Sequence, residues 1–244
     1  YYSAFYCIMK TTAKNYILTF RRINMARIDL VNIKQGTKSV PRFSQGNTLP
    51  LIQRPFGMAA FAPQTERNGS WYFNPESHSI EGIRLTHQPS PWIDDYGTVL
   101  MTPQNDIIAS NAGGAWGGYR PKETVMTPSY LKLRFLRSMC NFELTPTERG
   151  AVCRLTFDCD RPSCLSLLPL KGNYGYTLVP EKNEVIGWTD GHTQDIAEKF
   201  KMHFVLRFKE GDVDFSKTKI GENGTDKAYI HIALNSKTVE YALG

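Results

Sequence analysis

The side chains best suited to chemistry fall in one short stretch, THQPSPWIDDYG at residues 86–97, where an indole, an imidazole and two carboxylates share a segment with two prolines. Pro89 and Pro91 lock their own φ and push Gln88 and Ser90 toward extended backbone, so the segment reads as an ordered loop or irregular strand and not as a helix. Trp92 is then an aromatic plane on a rigid mount. Each group has two readings from residue type alone. Trp92 either offers its ring to a ligand or packs as a core aromatic with its indole N–H on a backbone carbonyl. His87 either lines a pocket or is a satisfied loop histidine. Asp94 and Asp95 either accept hydrogen bonds from a ligand or stand as solvated or capping groups in a turn.

A second stretch, FSQGNTLPLIQRPFGMAAFAPQT at residues 43–65, sets Gly46, Pro50, Pro55 and Gly57 around Asn47, Arg54 and Phe56. It reads as a stiff, polar-lined loop leading into a short apolar strand from Met58 to Ala62, its glycines allowing backbone to approach a ligand or another strand closely. Arg54 either reaches a ligand or pairs with an internal carboxylate at a corner of the fold, and Asn47 either does the same or closes a turn. What these stretches lack is equally informative. General acid and base work needs two carboxylates facing each other across a bond with one pKa raised, and no specific pair stands out. No D-x-D-x-D-G calcium loop is present, the segment DCDRP at 158–162 is only faintly suggestive, and His78, His192, His203 and His231 have no metal-like spacing. These residues are equipped to bind, so residues 1–244 are expected to be catalytically inactive by themselves.

The elements that must hold these loops are strands. LKLRFLR (131–137), CNFELT (140–145), AVCRLTF (151–157), HFVLRFK (203–209) and AYIHIAL (228–234) alternate with period two and are rich in β-branched and aromatic residues. Turn signals lie between them, among them Gly113-Gly114, Lys171-Gly172-Asn173, Asp190-Gly191 and two Asn-Gly pairs at 68–69 and 223–224. Only SKTVEYAL (236–243) reads as helical, with Ser236 as N-cap. Many short strands without a βαβ rhythm predict an all-β fold, a large two-sheet antiparallel β-sandwich, with the start of a helix at the C-terminal side.

Charge and cysteine content narrow the partners. The formal charge of +6 is concentrated in residues 1–24, where Lys10, Lys14, Arg21 and Arg22 meet no acid and supply four of the six charges. That leader has neither the order of a signal peptide nor its cleavage site. It is expected to be non-native or poorly ordered, or else an added edge strand or short helix, with one domain over residues 25–244. Lys132, Arg134 and Arg207 alternate with apolar neighbours and read as a solvated sheet face, which argues against a nucleic-acid surface. No run approaches the roughly 18 apolar residues of a membrane span. Five cysteines without a C-x-x-C pair point to buried thiols and a reducing cytoplasm.

Beyond these patterns, the series QGNTLPLIQRPFGMAAFAPQT, WYFNPESHSIEGIRLTHQPSPW, RPKETVMTPSYLKLRF and FELTPTERGAVCRLTF resembles the N-terminal domain of glycoside hydrolase family 92, the calcium-dependent, inverting exo-α-mannosidases. The likeness runs from about Ile28 to Gly244. It implies a supersandwich of the galactose-mutarotase-like kind, joined in cis to a larger (α/α)6 barrel that carries the catalytic carboxylates and most Ca2+ ligands, with α-mannoside glycans as substrate. The THQPSPW form is similar to that of members from Gram-positive bacteria without an export signal, and HIALNSKTVEYALG resembles the end of the domain, with Asn235 where a Ser is usual.

The resemblance also gives the two loops a task. A pyranose has apolar C–H faces and a rim of hydroxyls, so its pocket needs an aromatic plane and polar groups along the rim. On that footing Trp92, His87, Asp95, Arg54, Asn47, Phe56 and Gly57 are the expected substrate-binding residues, with Asp95 preferred to Asp94. Rigidity matters because inversion places a water between sugar and base, with the two carboxyls roughly 6.5 to 9.5 Å apart. Glu123 stands at a recurrent acid position of the family with no assigned role, Trp71 and Tyr72 are expected to pack in the sheet, and a glycan-binding module without catalysis is the competing reading.

Overall fold

The computed structural model describes residues 4–12, 15–23, 27–38, 48–66, 72–87, 94–192, 199–222 and 227–244. Two compact units share the chain, residues 1–32 and 33–244. In the first, β1 (Ala4–Thr12) and β2 (Asn15–Ile23) pair as an antiparallel hairpin, Ala4 opposite Ile23 and Thr12 opposite Asn15, and a 3-10 turn follows at Arg27–Leu30.

The second unit begins its strands with β3 (Ala60–Gln64), β4 (Ser79–Ile80), β5 (Gly82–Thr86) and β6 (Val99–Asn105). A four-residue helix, α1 (Ala112–Ala115), precedes β7 (Gly117–Gly118), β8 (Val125–Thr127), β9 (Tyr130–Phe135), β10 (Cys140–Pro146) and β11 (Ala151–Phe157). Then come β12 (Ser163–Leu168), β13 (Tyr174–Val179), β14 (Glu184–Thr189) and β15 (Met202–Phe208). The last are β16 (Lys219–Glu222), β17 (Ala228–Leu234) and β18 (Thr238–Leu243). Eight of them form one sheet in the order β13-β14-β15-β18-β11-β10-β9-β8, six form another in the order β16-β17-β12-β6-β5-β3, and β4 pairs with β7. All pairings are antiparallel. Among the described residues no helix is long and apolar enough to cross a membrane.

Alternation decides which way each strand faces. On β9, β10 and β11 the residues Leu131, Leu133, Phe142, Leu144, Cys153 and Leu155 are buried, while Lys132, Glu143 and Arg154 point outward. The inner faces of both sheets join in one cluster, to which Met101, Leu165 and Ile232 contribute from the six-stranded side. Tyr241 of β18 reaches Met101 Sδ across the gap at 3.6 Å. Each fully buried aliphatic or aromatic side chain here contributes roughly 1.5–3 kcal/mol by leaving water. The outer face of the eight-stranded sheet is a charge ladder instead, with Lys132, Glu143, Arg154 and Glu240 directly opposite one another in turn. Opposite charges in register contribute a few tenths of a kcal/mol per pair, and they keep that face wet.

One expected element is different in kind. Residues 238–243 form β18, a central strand between β11 and β15, and not the start of a helix. Val239, Tyr241 and Leu243 are buried while Thr238 and Ala242 are exposed, a period of two that only a half-buried strand satisfies. The sheet has a vacant hydrogen-bonding slot there, and filling it outweighs the helix propensity of Glu240, Ala242 and Leu243. The four cysteines with described side chains, Cys140, Cys153, Cys159 and Cys164, are free thiols, all but Cys159 buried.

Candidate functional site

Antiparallel pairing brings a particular set of loops to one end of the sandwich. Ala60, which opens β3, lies opposite Thr86, which closes β5, and Leu168 at the end of β12 lies beside Leu100. In the other sheet, Ala151 at the start of β11 faces Leu243 at the end of β18. The loop ends of the two sheets are stitched together there. Met58 N–H donates to the Glu148 carbonyl at 2.7 Å, and Gly97 N–H donates to the Gly191 carbonyl at 2.7 Å. The turn at 53–58, the segment after β5 and the turn at 147–150 therefore meet at one mouth.

His87 reaches this mouth by continuing the alternation of β5. Ile83 and Leu85 face the space between the sheets, so the next residue on that side, His87, stands where the core opens to solvent. It lines a hollow of about 320 Å³ with Met58, Leu85, Arg149, His203 and Phe204. The ring is fixed from two sides. Its face stacks on Tyr96 with centroids 4.9 Å apart and planes at 24°, and Nδ1 lies 3.1 Å from the Tyr96 carbonyl oxygen. A carbonyl only accepts, so Nδ1 carries the proton, and in the neutral ring Nε2 keeps the lone pair that can accept from a hydroxyl. Tyr96 is in turn braced edge-on by Phe200 at 5.7 Å.

The turn that supplies Met58 holds three other expected residues. Gly57 N–H closes it by donating to the Arg54 carbonyl at 2.9 Å. A Cβ on Gly57 would sit 3.1 Å from that carbonyl and 3.4 Å from the Glu148 carbonyl, so the position is a backbone junction. Phe56 has φ +60 and is fully exposed. A phenyl ring in the left-handed region and in open water carries two unfavourable features at once. Arg54 is exposed beside it, with no carboxylate partner among the described residues. Met58 is 68% exposed, extending the apolar lip.

Asp95 sits elsewhere. It is 5% exposed and accepts from Thr86 Oγ1 at 2.7 Å, from His87 N–H at 3.0 Å and from Tyr96 N–H at 2.9 Å, with Arg84 Nη1 3.8 Å away. Burial pushes its pKa up and these donors pull against that. It therefore fastens the two ends of the segment that carries residues 88–93, and it lines a second hollow on the outer face of the six-stranded sheet. Asp94, with φ +68, pairs with Lys171 at 3.0 Å. Trp92 and Asn47 lie outside the described residues, as does Trp71. Tyr72 is 1% exposed and packs with Leu49, Ala62 and Phe73, as expected of it. Glu123 is exposed and paired with Arg120 at 3.2 Å. Thus the structure gathers the His87 ring with the 53–58 turn, while Asp95, bonded to the His87 N–H, lines the other hollow.

Sequence reasoning gave no role to Arg149 and His203 at the mouth, nor to Gln64, Glu81 and Arg84 behind Asp95. A signal existed for the last three. Each is a polar residue inside an otherwise apolar strand or at its edge, in APQT, SIEG and GIRLT.

A two-sheet antiparallel sandwich brings its loops together at one end, where side chains from distant strands meet. Residues 30–240 match the glycosyl hydrolase family 92 N-terminal domain, and the chain belongs to that family. Solved structures agree on the fold. An inverting mannosidase of the family from Bacteroides thetaiotaomicron superposes with TM-score 0.81 at 24% identity over 89% of this chain. An α-mannosidase of the family from the same organism gives 0.68 at 15%, and its complex with mannoimidazole gives 0.69 at 16%. The chain spans 31–33% of the length of those structures. No curated protein matches the sequence.

Proposed function

We propose that this chain is the N-terminal domain of an inverting, calcium-dependent exo-α-mannosidase, and that the mouth at its loop end forms one wall of the terminal-mannose subsite. The observation that carries this reading is the pairing of a proton-accepting His87 Nε2 with an exposed, backbone-strained aromatic turn at the same end of a family 92 sandwich. Each element has a task in such a subsite. His87 accepts from a sugar hydroxyl, Arg54 and Arg149 donate to rim oxygens, and Phe56 and Met58 give an apolar surface to a C–H face or to the barrel that completes the cleft. Trp92 is proposed as a further platform, carried on the segment that Asp95 fastens. The general acid and base belong to the proposed helical body.

Most of the calcium ligands are proposed to come from that body too. This chain's contribution is to orient the sugar and exclude water along one side, which keeps the attacking water in line.

The test uses the complete enzyme acting on an α-linked mannobiose. His87→Ala is expected to lower kcat/KM by roughly 10- to 100-fold, about 1.4–2.8 kcal/mol of transition-state stabilisation, with calcium affinity unchanged. An unaltered kcat/KM in both His87→Ala and Phe56→Ala would remove the mouth from the active site. Release of mannose by residues 1–244 alone would refute the division of labour.

A further inference from the structure

A guanidinium carries five donors in a fork that fits a carboxylate or a phosphate, and most arginines of the second unit use it. Arg84, Arg120, Arg134, Arg154, Arg161 and Arg207 each stand beside a carboxylate, and Arg137 Nη1 donates to the Gly114 and Trp116 carbonyls at 2.7 and 2.8 Å. Among the described residues of that unit only Arg54 and Arg149 have no acceptor. Both belong to the mouth. Arg149 lines its hollow, and Arg54 stands on the turn that delivers Met58. A Cβ on Gly57 would lie 3.4 Å from both Arg54 Cβ and the Glu148 carbonyl oxygen, so the two arginines spring from adjoining turns.

Little at the mouth balances their charge. Among the described residues the ionisable side chains lining the hollow of about 320 Å³ are His87, Arg149 and His203, with no Asp or Glu. Asp95 lines the other hollow and is held by three donors. Glu148 shares a turn with Arg149, but it is exposed and does not line the hollow, and it offsets one of the two charges. A concave site with positive charge left over concentrates anions. His87 adds a second requirement, because its Nε2 lone pair takes a hydroxyl donor and not an anion. A ligand that satisfies both carries hydroxyls and negative charge on one small frame. Neutral mannose satisfies only the first.

We propose that the mouth takes a sugar unit bearing an anionic group, a phosphate or a carboxylate, so that the substrate is an acidic mannose glycan. A sugar hydroxyl donates to His87 Nε2 while the anionic oxygens accept from Arg149, and Arg54 supplies the second positive charge. Charge-assisted hydrogen bonds from a guanidinium fork are roughly twice as strong as neutral ones, so the charged group adds affinity that a plain mannoside lacks. A carboxylate elsewhere in the complete protein is the other acceptor two free forks could meet; a concave hollow with a hydroxyl acceptor beside them favours the small ligand. This rests on the reading of the mouth as a mannose subsite and adds the charge of what it holds.

Calorimetric titration of the complete protein compares D-mannose, D-mannose 6-phosphate, D-mannuronate and inorganic phosphate. At least one anionic sugar is expected to bind roughly tenfold or more tightly than mannose, and more tightly than inorganic phosphate; the one with the larger gain names the charged group. Added salt should shrink the gain. In Arg54→Gln/Arg149→Gln the ratio should fall to near one, and Arg149→Lys should keep part of it. Equal affinity for mannose and both anionic sugars in the wild type would mean that the arginines are met by carboxylates of the protein itself, and would overturn the proposal without any variant. Inorganic phosphate binding as tightly as the sugar phosphate, or a preference kept in the folded double variant, would also overturn it. Hydrolysis of an α-linked mannobiose is read separately, so a neutral mannosidase loses this proposal and keeps the reading beneath it.

Discussion

Mild acid is expected to weaken the sandwich through a single imidazole, His231 of β17. Its Nδ1 lies 2.8 Å from Ser166 Oγ, and Gln104 Nε2 donates to the same hydroxyl at 2.8 Å. With that donor in place the serine proton is free to point at Nδ1, so the bond favours the neutral ring. Tyr229 packs against it with centroids 4.6 Å apart, and Lys219 sits directly opposite on β16. Burial first, and the Lys219 charge second, lower the His231 pKa from 6.5 to about 4. Because the folded value lies below the unfolded one, the unfolded chain takes the proton first. The stabilisation is whole above pH 6.5 and is lost as pH falls from there toward 4. At about 1.4 kcal/mol per pH unit the gap is worth about 3 kcal/mol, and about 2 kcal/mol once solvent screening of a half-buried ring is allowed for. The assay is the urea midpoint at intervals between pH 7 and 4.5, for the wild type and for His231→Gln. Comparing the two cancels the opposite contribution of Asp95, whose raised pKa gives back stability as pH falls through it, and the acid-side losses from Glu240 and Asp190. The wild type should fall by about 2 kcal/mol more than the variant over that window. Parallel curves would refute the assignment of this step to His231.

Phe56→Gly removes the left-handed strain at φ +60 and should change stability by no more than about 1 kcal/mol, in the stabilising direction; a loss above 1 kcal/mol in urea would show that the ring packs after all. Gly150→Ala places a Cβ 1.8 Å from the Leu243 carbonyl oxygen, so β11 and β18 must part, at an expected 1–3 kcal/mol, roughly, measured as a fall in thermal midpoint. Asp95→Ala strands one buried and two half-buried donors and leaves the largely buried Arg84 without its carboxylate, which should cost roughly 3–5 kcal/mol, with faster amide exchange at His87 and Tyr96; unchanged exchange there would contradict its fastening role.

The strands that were legible in the sequence are those whose inner and outer residues differ sharply in polarity. β10 and β11 alternate Phe142, Leu144, Cys153 and Leu155 with Glu143 and Arg154, and the pattern alone orients them. β18 was misread because its outward residues include Glu240 and Ala242, good helix formers, and only the gap between β11 and β15 selects the extended form. The mouth was half legible. The glycine and prolines around Phe56 announced a stiff turn, whereas Arg149 and His203 reach it through pairing of distant strands, which no local pattern encodes. Asp95 illustrates the same limit. Its neighbours in sequence placed it in a ligand loop, and its hydrogen bonds to Thr86 and His87 place it underneath that loop as an anchor.

The position of β18 also sets a timetable for the nascent chain. Its neighbours are β11 and β15, and through them it joins the group β8 to β11 to the group β13 to β15. Until residues 238–243 emerge from the ribosome, each group presents an unpaired edge where that strand belongs, bordered by apolar side chains such as Leu155 and Leu206. Closure therefore waits for the last of these strands and joins segments far apart in sequence, which makes folding slow and leaves an interval in which chaperones have a sticky edge to shield.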